Sequence, residues 1–99
     1  MALKLHVTLR AAREIERIAE WWSLNRLAAP GVVRKDPKAT CNVLRAQPGI
    51  GVKVEQASSP TTRRFHVDRI GHWVYYRVQE NRLEVLSVWH SSREQPPSV

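Results

Sequence analysis

Three short segments in the second half of the chain carry strand signals. They span residues 62–67, 73–78 and 83–89, and turn-forming residues separate them. Short segments of this kind between turn residues are typical of strands. Glu80 and Asn81 lie between the last two segments and predict a tight hairpin turn, since asparagine tolerates positive φ. The spacing therefore predicts three antiparallel strands in succession.

The first half of the chain predicts one strand and then two helices. Residues 2–7 alternate apolar and polar side chains, which predicts a half-buried strand. Thr8 can cap the helix that follows, and we expect that helix to end near Asn25. Apolar residues recur along it at steps of three and four, as on a helix with one buried face. This stripe consists of Ala11, Ile15, Ile18 and Trp22. The solvent side of the same helix is predicted to carry Glu14, Arg17 and Glu20.

The second helix is predicted over residues 37–46. Asp36 suits the N-cap, and Pro37 suits the first helical position. Residues 30–35 form either a separate helical turn or a kinked extension of this helix. The residues expected to point inward are Ala39, Val43 and Leu44.

The predicted order is β-α-α-β-β-β. It describes an α+β domain in which a helical hairpin packs on one face of a mainly antiparallel sheet. We expect residues 1–94 to form this single domain. Residues 95–99 contain Pro96 and Pro97 and are expected to be a flexible tail.

A strong positive charge narrows the choice of partners. The chain has 16 Lys and Arg against nine Asp and Glu, a net charge of +7, and 12 of the 16 are arginine. Arginine pairs in bidentate fashion with carboxylate or phosphate, so the surface favours nucleic acid or an acidic protein segment. The alternative is that the net positive charge only keeps the protein soluble.

Several other features indicate a cytoplasmic protein without a cofactor. Cys41 is the only cysteine, so no internal disulfide can form. The first residues show no signal-peptide pattern, and no apolar run approaches the roughly 20 residues of a membrane helix. His66 and His72 have no further ligand at a suitable spacing, so we expect no metal site.

Four groups of residues, taken in their order along the chain, resemble a known family. They are Val7–Ile15 with Trp21–Trp22, Ala29–Pro30 with Gln47–Gly51, Arg63–Arg64 with Gly71–Val78, and Leu83–Glu94. The order and spacing resemble the RelE/ParE family of toxins from type II toxin–antitoxin systems. The resemblance implies the β-α-α-β-β-β fold and a bacterial cytoplasmic toxin that arrests growth and is neutralised by an acidic antitoxin. Pro37 departs from the family pattern, in which the second helix usually runs unbroken.

The resemblance leaves two main activities open. RelE-like members cut messenger RNA on the ribosome, whereas ParE-like members poison DNA gyrase. RNA cleavage needs an acid, a base and cations around the phosphate. The candidates for these roles are His90, Arg63, Arg77 and Glu55.

Two parts of the sequence favour the ParE-like activity. In nuclease relatives a basic residue often follows the position of His72, and a tyrosine or second acid–base group closes the chain. Here those places hold Trp73 and Ser91. The ending Trp89–Glu94 resembles that of ParE toxins. We therefore predict a gyrase poison of the kind that stabilises plasmids. The alternatives are a ribosome-dependent endoribonuclease that meets the ribosome and mRNA, and a non-toxic binding module with the same fold.

One face of the middle predicted strand is a candidate binding surface. Trp73, Tyr75 and Arg77 share that face, while Val74, Tyr76 and Val78 should meet the helices. Adjacent Arg63 and Arg64 must point to opposite faces. The exposed stripe suits an acidic antitoxin segment or nucleic acid, and the alternative is cross-strand packing. The full set of predicted target-binding or antitoxin-binding residues is Trp21, Arg63, Arg64, Trp73, Tyr75, Arg77, His90 and Arg93.

Overall fold

The computed structural model describes residues 3–25, 32–93 and 95–99, apart from the side chains at positions 25, 32–36 and 69. The elements in chain order are β1 (Lys4–Val7), α1 (Leu9–Asn25), α2 (Val32–Ala46), β2 (Val52–Lys53), β3 (Thr62–Val67), β4 (His72–Gln79) and β5 (Arg82–His90), with 3₁₀ turns at Pro48–Ile50 and Asp68–Ile70. The expectations for Ala2, for residues 29–31 and for Glu94 lie outside the described residues. The predicted order of two helices between strands is confirmed, and the short β2 is an addition.

The five strands form one sheet in the order β1-β5-β4-β3-β2. β1 runs parallel to β5, and the other neighbours are antiparallel. The β4–β5 hairpin turns where it was predicted, but Glu80, at φ +57°, takes the left-handed conformation that was expected at Asn81. All four residues of β1 are exposed, so the expectation of a half-buried strand is wrong. β1 is an edge strand, and only Leu3 before it packs against the core.

Both helices pack on one side of the sheet, which we call the inner face. As predicted, Val74, Tyr76 and Val78 face the helices, and the Trp22 side chain completes the stripe of α1. Leu83 and Val85 of β5 are fully buried in the same core. Neither described helix is long and apolar enough to cross a membrane.

The second helix corrects two expectations. It begins at Val32, so position 36 lies within it and Pro37 is in its second turn. A proline there removes only one helical hydrogen bond close to the N-terminus, and its ring is buried. Among residues 37–46 of α2, the buried ones are Pro37, Cys41 and Leu44, whereas Ala39 and Val43 are exposed. The stripe is therefore centred on Cys41.

Glu14 is not on the solvent side, contrary to the expectation. β1 pairs only with residues 82–85 of β5. The rest of β5, from residue 86 onward, therefore has no neighbouring strand on that edge. The Glu14 carboxylate fills this place: it accepts the Val88 backbone N–H at 3.1 Å and the Ser87 hydroxyl at 2.9 Å. Thr8 caps α1 as predicted, since its hydroxyl accepts the Ala11 N–H. These contacts fix the start of α1 against β5.

Candidate binding surfaces

The outer face of the sheet, opposite the helices, carries a cluster of aromatic and cationic side chains. The Arg64 guanidinium lies 4.1 Å from the centre of the Trp73 ring and donates to the Tyr75 hydroxyl at 3.3 Å. The His66 and Trp73 rings pack edge to face, with 4.8 Å between ring centres. No carboxylate among the described residues pairs with Arg64. The Asp68 carboxylate is paired with His66, so Arg64 is the member of this outer cluster (Arg64, His66, Trp73 and Tyr75) that can accept an anionic group.

Residues 95–99 lie across this outer face, although the sequence predicts a flexible tail. The Trp89 indole donates to the Gln95 carbonyl at 2.9 Å, Arg10 donates to the Ser98 carbonyl at 2.7 Å, and the Ser58 hydroxyl donates to the Val99 carbonyl at 2.8 Å. Pro97 is buried. Hydrogen bonds and burial together hold the segment, and neither was visible from its proline-rich composition.

A cavity of about 1000 Å³ is lined by residues 95–99, by the loop that contains Glu55, and by Arg64 and Tyr75. Tyr75 itself is only 1% exposed. The expectation of an exposed Trp73–Tyr75–Arg77 stripe is therefore wrong at Tyr75, because neighbouring chain covers the ring. Trp73 remains half-buried.

Arg77 and Arg63 each donate a hydrogen bond to another residue of the sheet or its connecting turn. The Arg77 Nε donates to the Glu84 carboxylate at 2.6 Å, and the Glu84 side chain is only 9% exposed. Arg63 points to the inner side and donates to the Gly51 carbonyl at 2.7 Å. Arg63 and Arg64 thus lie on opposite faces, as predicted from their adjacency. Both engaged arginines stabilise the sheet.

The four residues named for RNA cleavage do not converge. Arg77 pairs with Glu84 across β4 and β5, whereas His90 pairs with His72 at the other end of the same strands. Five residues of extended chain separate the two positions on β4, which is roughly 16 Å. Glu55 lies in the exposed loop beyond β2. These four residues therefore lie too far apart to act together, as acid, base and cation, on one phosphate group.

A second concave surface lies on the inner face, between α1 and the far end of the sheet. This end cleft has a volume of about 700 Å³. The side chains that matter for its chemistry are Arg17, Trp21, Trp22, His72, His90 and Arg93. Three residues of the predicted binding set, Trp21, His90 and Arg93, therefore meet in one place. Arg17, Trp22 and His72 were not predicted as binding residues.

The two imidazoles of the end cleft have different surroundings. Their rings meet edge to face at 4.7 Å. His72 is buried, and its Nδ1 donates to the Ile70 carbonyl at 2.6 Å. Burial lowers the pKa of His72; the hydrogen bond to the Ile70 carbonyl partly offsets this effect, and the neighbouring His90 and Arg93 lower the pKa a little further. The Nδ1 atom of exposed His90 accepts the Ser92 backbone N–H at 3.0 Å.

Other reactive groups are held in unreactive states. Burial raises the pKa of the Cys41 thiol to about 11, partly offset by the Arg45 charge, so the thiol stays protonated at neutral pH. Burial also raises the pKa of the Tyr76 hydroxyl, which is bonded to the Pro48–Gly51 turn. Within the described ranges, no three His, Cys, Asp or Glu side chains come together as metal ligands.

Comparisons with known proteins agree with this architecture. The family model for ParE toxin of type II toxin–antitoxin system, parDE, matches residues 5–95. The chain is similar to a structure from the chromosomal ParDE TA system of P. aeruginosa, with 20% sequence identity, a TM-score of 0.67, and coverage of 90% of this chain and 96% of that one. It is also similar in fold to the YoeB dimer from Staphylococcus aureus, with 14% identity, a TM-score of 0.53, and coverage of 91% and 98%. No curated protein sequence matches the chain.

Proposed function

The chain belongs to the ParE family of toxins from type II toxin–antitoxin systems, and we propose that it arrests growth by binding DNA gyrase on DNA without cutting nucleic acid itself. Its proposed place of action is the cytoplasm. The observation that carries the proposal is the family match over residues 5–95. That match covers both described helices and, apart from Lys4, the five described strands.

The positions of the candidate cleavage residues support a binding role. Arg77 is committed to Glu84, Arg63 is committed to the Gly51 carbonyl, and His90 lies at the opposite end of the sheet. A toxin that traps another enzyme needs a cationic surface of defined shape and no general acid or base of its own. The net charge of +7 and the two aromatic, cationic surfaces fit that requirement.

The test is a supercoiling assay with purified gyrase and relaxed plasmid. The expected result is loss of supercoiling and accumulation of cleaved, gyrase-linked DNA at micromolar toxin, reversed by the antitoxin. Glu55→Gln is a matched variant that removes a nuclease candidate in an exposed loop, and it should inhibit as well as the parent. Unchanged supercoiling with correctly folded toxin overturns the proposal.

The family implies a cognate antitoxin, and we propose that an acidic segment of it binds the outer cluster. Arg64 has no carboxylate partner among the described residues and is positioned by Trp73 at 4.1 Å. Residues 95–99 would have to move aside for a segment that reaches Tyr75. Arg64→Gln should weaken antitoxin binding and its salt dependence. Arg13→Gln, an exposed arginine on α1, should change only the long-range attraction. Equal effects of the two variants contradict this placement.

One observation favours RNA cleavage as a second candidate function. The end cleft brings His90 together with two arginines, Arg17 and Arg93. An imidazole and two guanidinium groups can supply proton transfer and charge stabilisation at a phosphate. Rapid translation arrest with codon-positioned mRNA cuts, abolished by His90→Ala, supports this function over gyrase poisoning. Absence of any growth arrest on induction points instead to a non-toxic binding module.

A further inference from the structure

Residues 95–99 lie on the outer face in the way that a bound peptide does. Proline fixes its own φ angle and holds the residue before it in an extended conformation, so Pro96 and Pro97 keep the segment extended. The Trp89 indole donates to the Gln95 carbonyl at 2.9 Å, and Pro97 is buried. Aromatic grooves bind proline-rich peptides in this manner, because the extended backbone is already formed and its carbonyls are free. The segment thus has the contacts of a ligand although it belongs to the same chain.

The hydrogen bonds that the described residues donate to this segment all end on its backbone carbonyls. Arg10, which also pairs with Glu14 at 3.7 Å, donates to the Ser98 carbonyl at 2.7 Å. The Ser58 hydroxyl and backbone N–H both donate to the Val99 carbonyl, at 2.8 and 3.4 Å. Any extended peptide offers carbonyls of this kind. The donors that hold the segment can therefore hold a different peptide on the same track.

The segment leaves the positive charge of the outer face unmatched. None of the side chains at positions 95–99 is acidic. Arg64 and Lys53 line the cavity of about 1000 Å³ beside the segment, and exposed Glu55 is the one acidic side chain among the described residues that line it. An acidic side chain on the same track would reach this cavity and pair with Arg64. An acidic peptide therefore gains charge-assisted pairs in addition to the backbone hydrogen bonds.

We propose that residues 95–99 are an internal competitor of the antitoxin: they occupy the track that its acidic segment takes, and the antitoxin binds by displacing them. The inference rests on the proposed antitoxin site at the outer cluster. A segment joined to its own site has an effective concentration in the millimolar range, so it covers Tyr75 while no partner is present. Because its side chains carry no negative charge, an acidic segment that pairs with Arg64 replaces it.

Binding of an acidic, extended peptide to the full chain tests this inference. The probe is a labelled 12-residue peptide of alternating glutamate and proline, measured by fluorescence anisotropy. Pro97→Gly removes a buried ring and loosens the segment, so it should tighten peptide binding by roughly 10- to 30-fold, because apparent affinity rises with the fraction of molecules whose site is uncovered. Pro96→Gly is the matched control at an exposed position. It should tighten binding by only about 2- to 5-fold, since it makes the segment less rigid without removing a buried group.

A negative charge on the segment should act in the opposite direction. Ser98→Glu places a carboxylate close to Arg10, which is bonded to the Ser98 carbonyl. It should weaken peptide binding by about 2- to 5-fold, the range for one surface charge pair. Leu24→Glu adds the same charge at an exposed position on α1 and should weaken binding less, because it acts only through screened long-range attraction.

Hydrogen exchange at the Trp89 indole shows whether the segment leaves its track. In the parent chain this N–H is bonded to the Gln95 carbonyl, so its exchange should be slow. Pro97→Gly should accelerate the exchange, and saturation with the probe peptide should slow it again, because a peptide carbonyl takes the place of Gln95. Trp89→Phe identifies the resonance in the nitrogen-correlated spectrum.

Three results overturn the inference. They are equal peptide affinities of Pro97→Gly and Pro96→Gly, equal effects of Ser98→Glu and Leu24→Glu, and an indole exchange rate that Pro97→Gly does not change. Circular dichroism of each variant confirms that the fold is retained before binding is compared.

Failure of this inference differs from failure of the proposed antitoxin site. If Arg64→Gln weakens peptide binding while Pro97→Gly leaves it unchanged, the site stands and the internal competitor is refuted. If Arg64→Gln weakens binding no more than Arg13→Gln does, both the site and the competitor are refuted. Neither result depends on whether the chain inhibits supercoiling.

Discussion

Replacement of Gly51 by alanine is expected to destabilise the fold, because the space for a side chain is already filled. A Cβ at Gly51 falls well inside contact distance of the Tyr76 hydroxyl, and it lies 2.9 Å from both the Tyr76 Cε1 and the Arg64 carbonyl oxygen. The backbone of Gly51 has φ −74°, which any residue can adopt. The penalty is therefore steric and does not come from backbone conformation.

The size of this steric penalty depends on the Tyr76 contacts that must be displaced. Tyr76 is fully buried, accepts the Gly51 N–H at 3.0 Å, and donates to the Pro48 carbonyl at 2.7 Å. Overpacking costs about 1–3 kcal/mol, and a lost hydrogen bond in a buried setting costs about 1 kcal/mol. The expected loss is about 2–4 kcal/mol in the free energy of unfolding. For a domain of this size that corresponds to a fall in Tm of roughly 10 °C or more.

Urea unfolding followed by circular dichroism measures this loss. Gly49→Ala is the matched control in the same turn, since nothing lies within 4 Å of its added Cβ, and we expect a change below about 0.5 kcal/mol. Tyr76→Phe removes the hydroxyl that a Gly51 side chain meets, so it should cost less in the Gly51→Ala background than alone. A Gly51→Ala protein as stable as the parent, or additivity of the two changes, refutes the reasoning.

Four further changes have expected effects on stability. Glu14→Ala should lower the free energy of unfolding by about 2 kcal/mol in urea titrations, because the Val88 N–H loses its acceptor. His72 has a pKa lowered by burial from 6.5, so the unfolded chain binds the proton more readily; stability should fall as pH drops below about 6.5, and His72→Leu should flatten that part of a Tm–pH curve. Glu80→Gly should raise the free energy of unfolding by roughly 0.5 kcal/mol, with a small rise in Tm, since it relieves a φ of +57°. Thr62→Val should be neutral or stabilising by about 1 kcal/mol in the same titration, because the buried Thr62 hydroxyl has no hydrogen-bond partner; a clear destabilisation contradicts that account.

Local sequence patterns were sufficient for most of the fold. The three predicted strands of the second half agree with β3, β4 and β5 to within one residue at each end. Period-two alternation also assigned the two faces of β4 correctly. These features depend on neighbouring residues, so a single sequence carries them.

Long-range contacts account for what the sequence did not predict. Glu14 follows the helical pattern of a solvent-exposed residue, and its burial depends on the edge of β5, more than 70 residues away. The cover that residues 95–99 provide for the outer face depends on Arg10 and Ser58. Composition and periodicity cannot report such pairings.

The candidate surfaces were likewise predictable in residue type but not in spatial arrangement. Residue type identified Trp21, Arg64, Trp73 and Arg93 as binding candidates, because aromatic and arginine side chains commonly anchor interfaces. The sequence could not show that Trp21 and Arg93 share a cleft while Arg64 and Trp73 lie on the other face. That separation follows from the packing of α1 at one end of the sheet. The result is two separate candidate surfaces.

Covalent gyrase–DNA complexes, recovered from cells minutes after induction and counted beside intact messenger RNA, test the central claim most directly. The account predicts that gyrase-linked DNA rises before growth stops while messenger RNA stays whole. Fragmented messenger RNA with no gain in gyrase-linked DNA would contradict it.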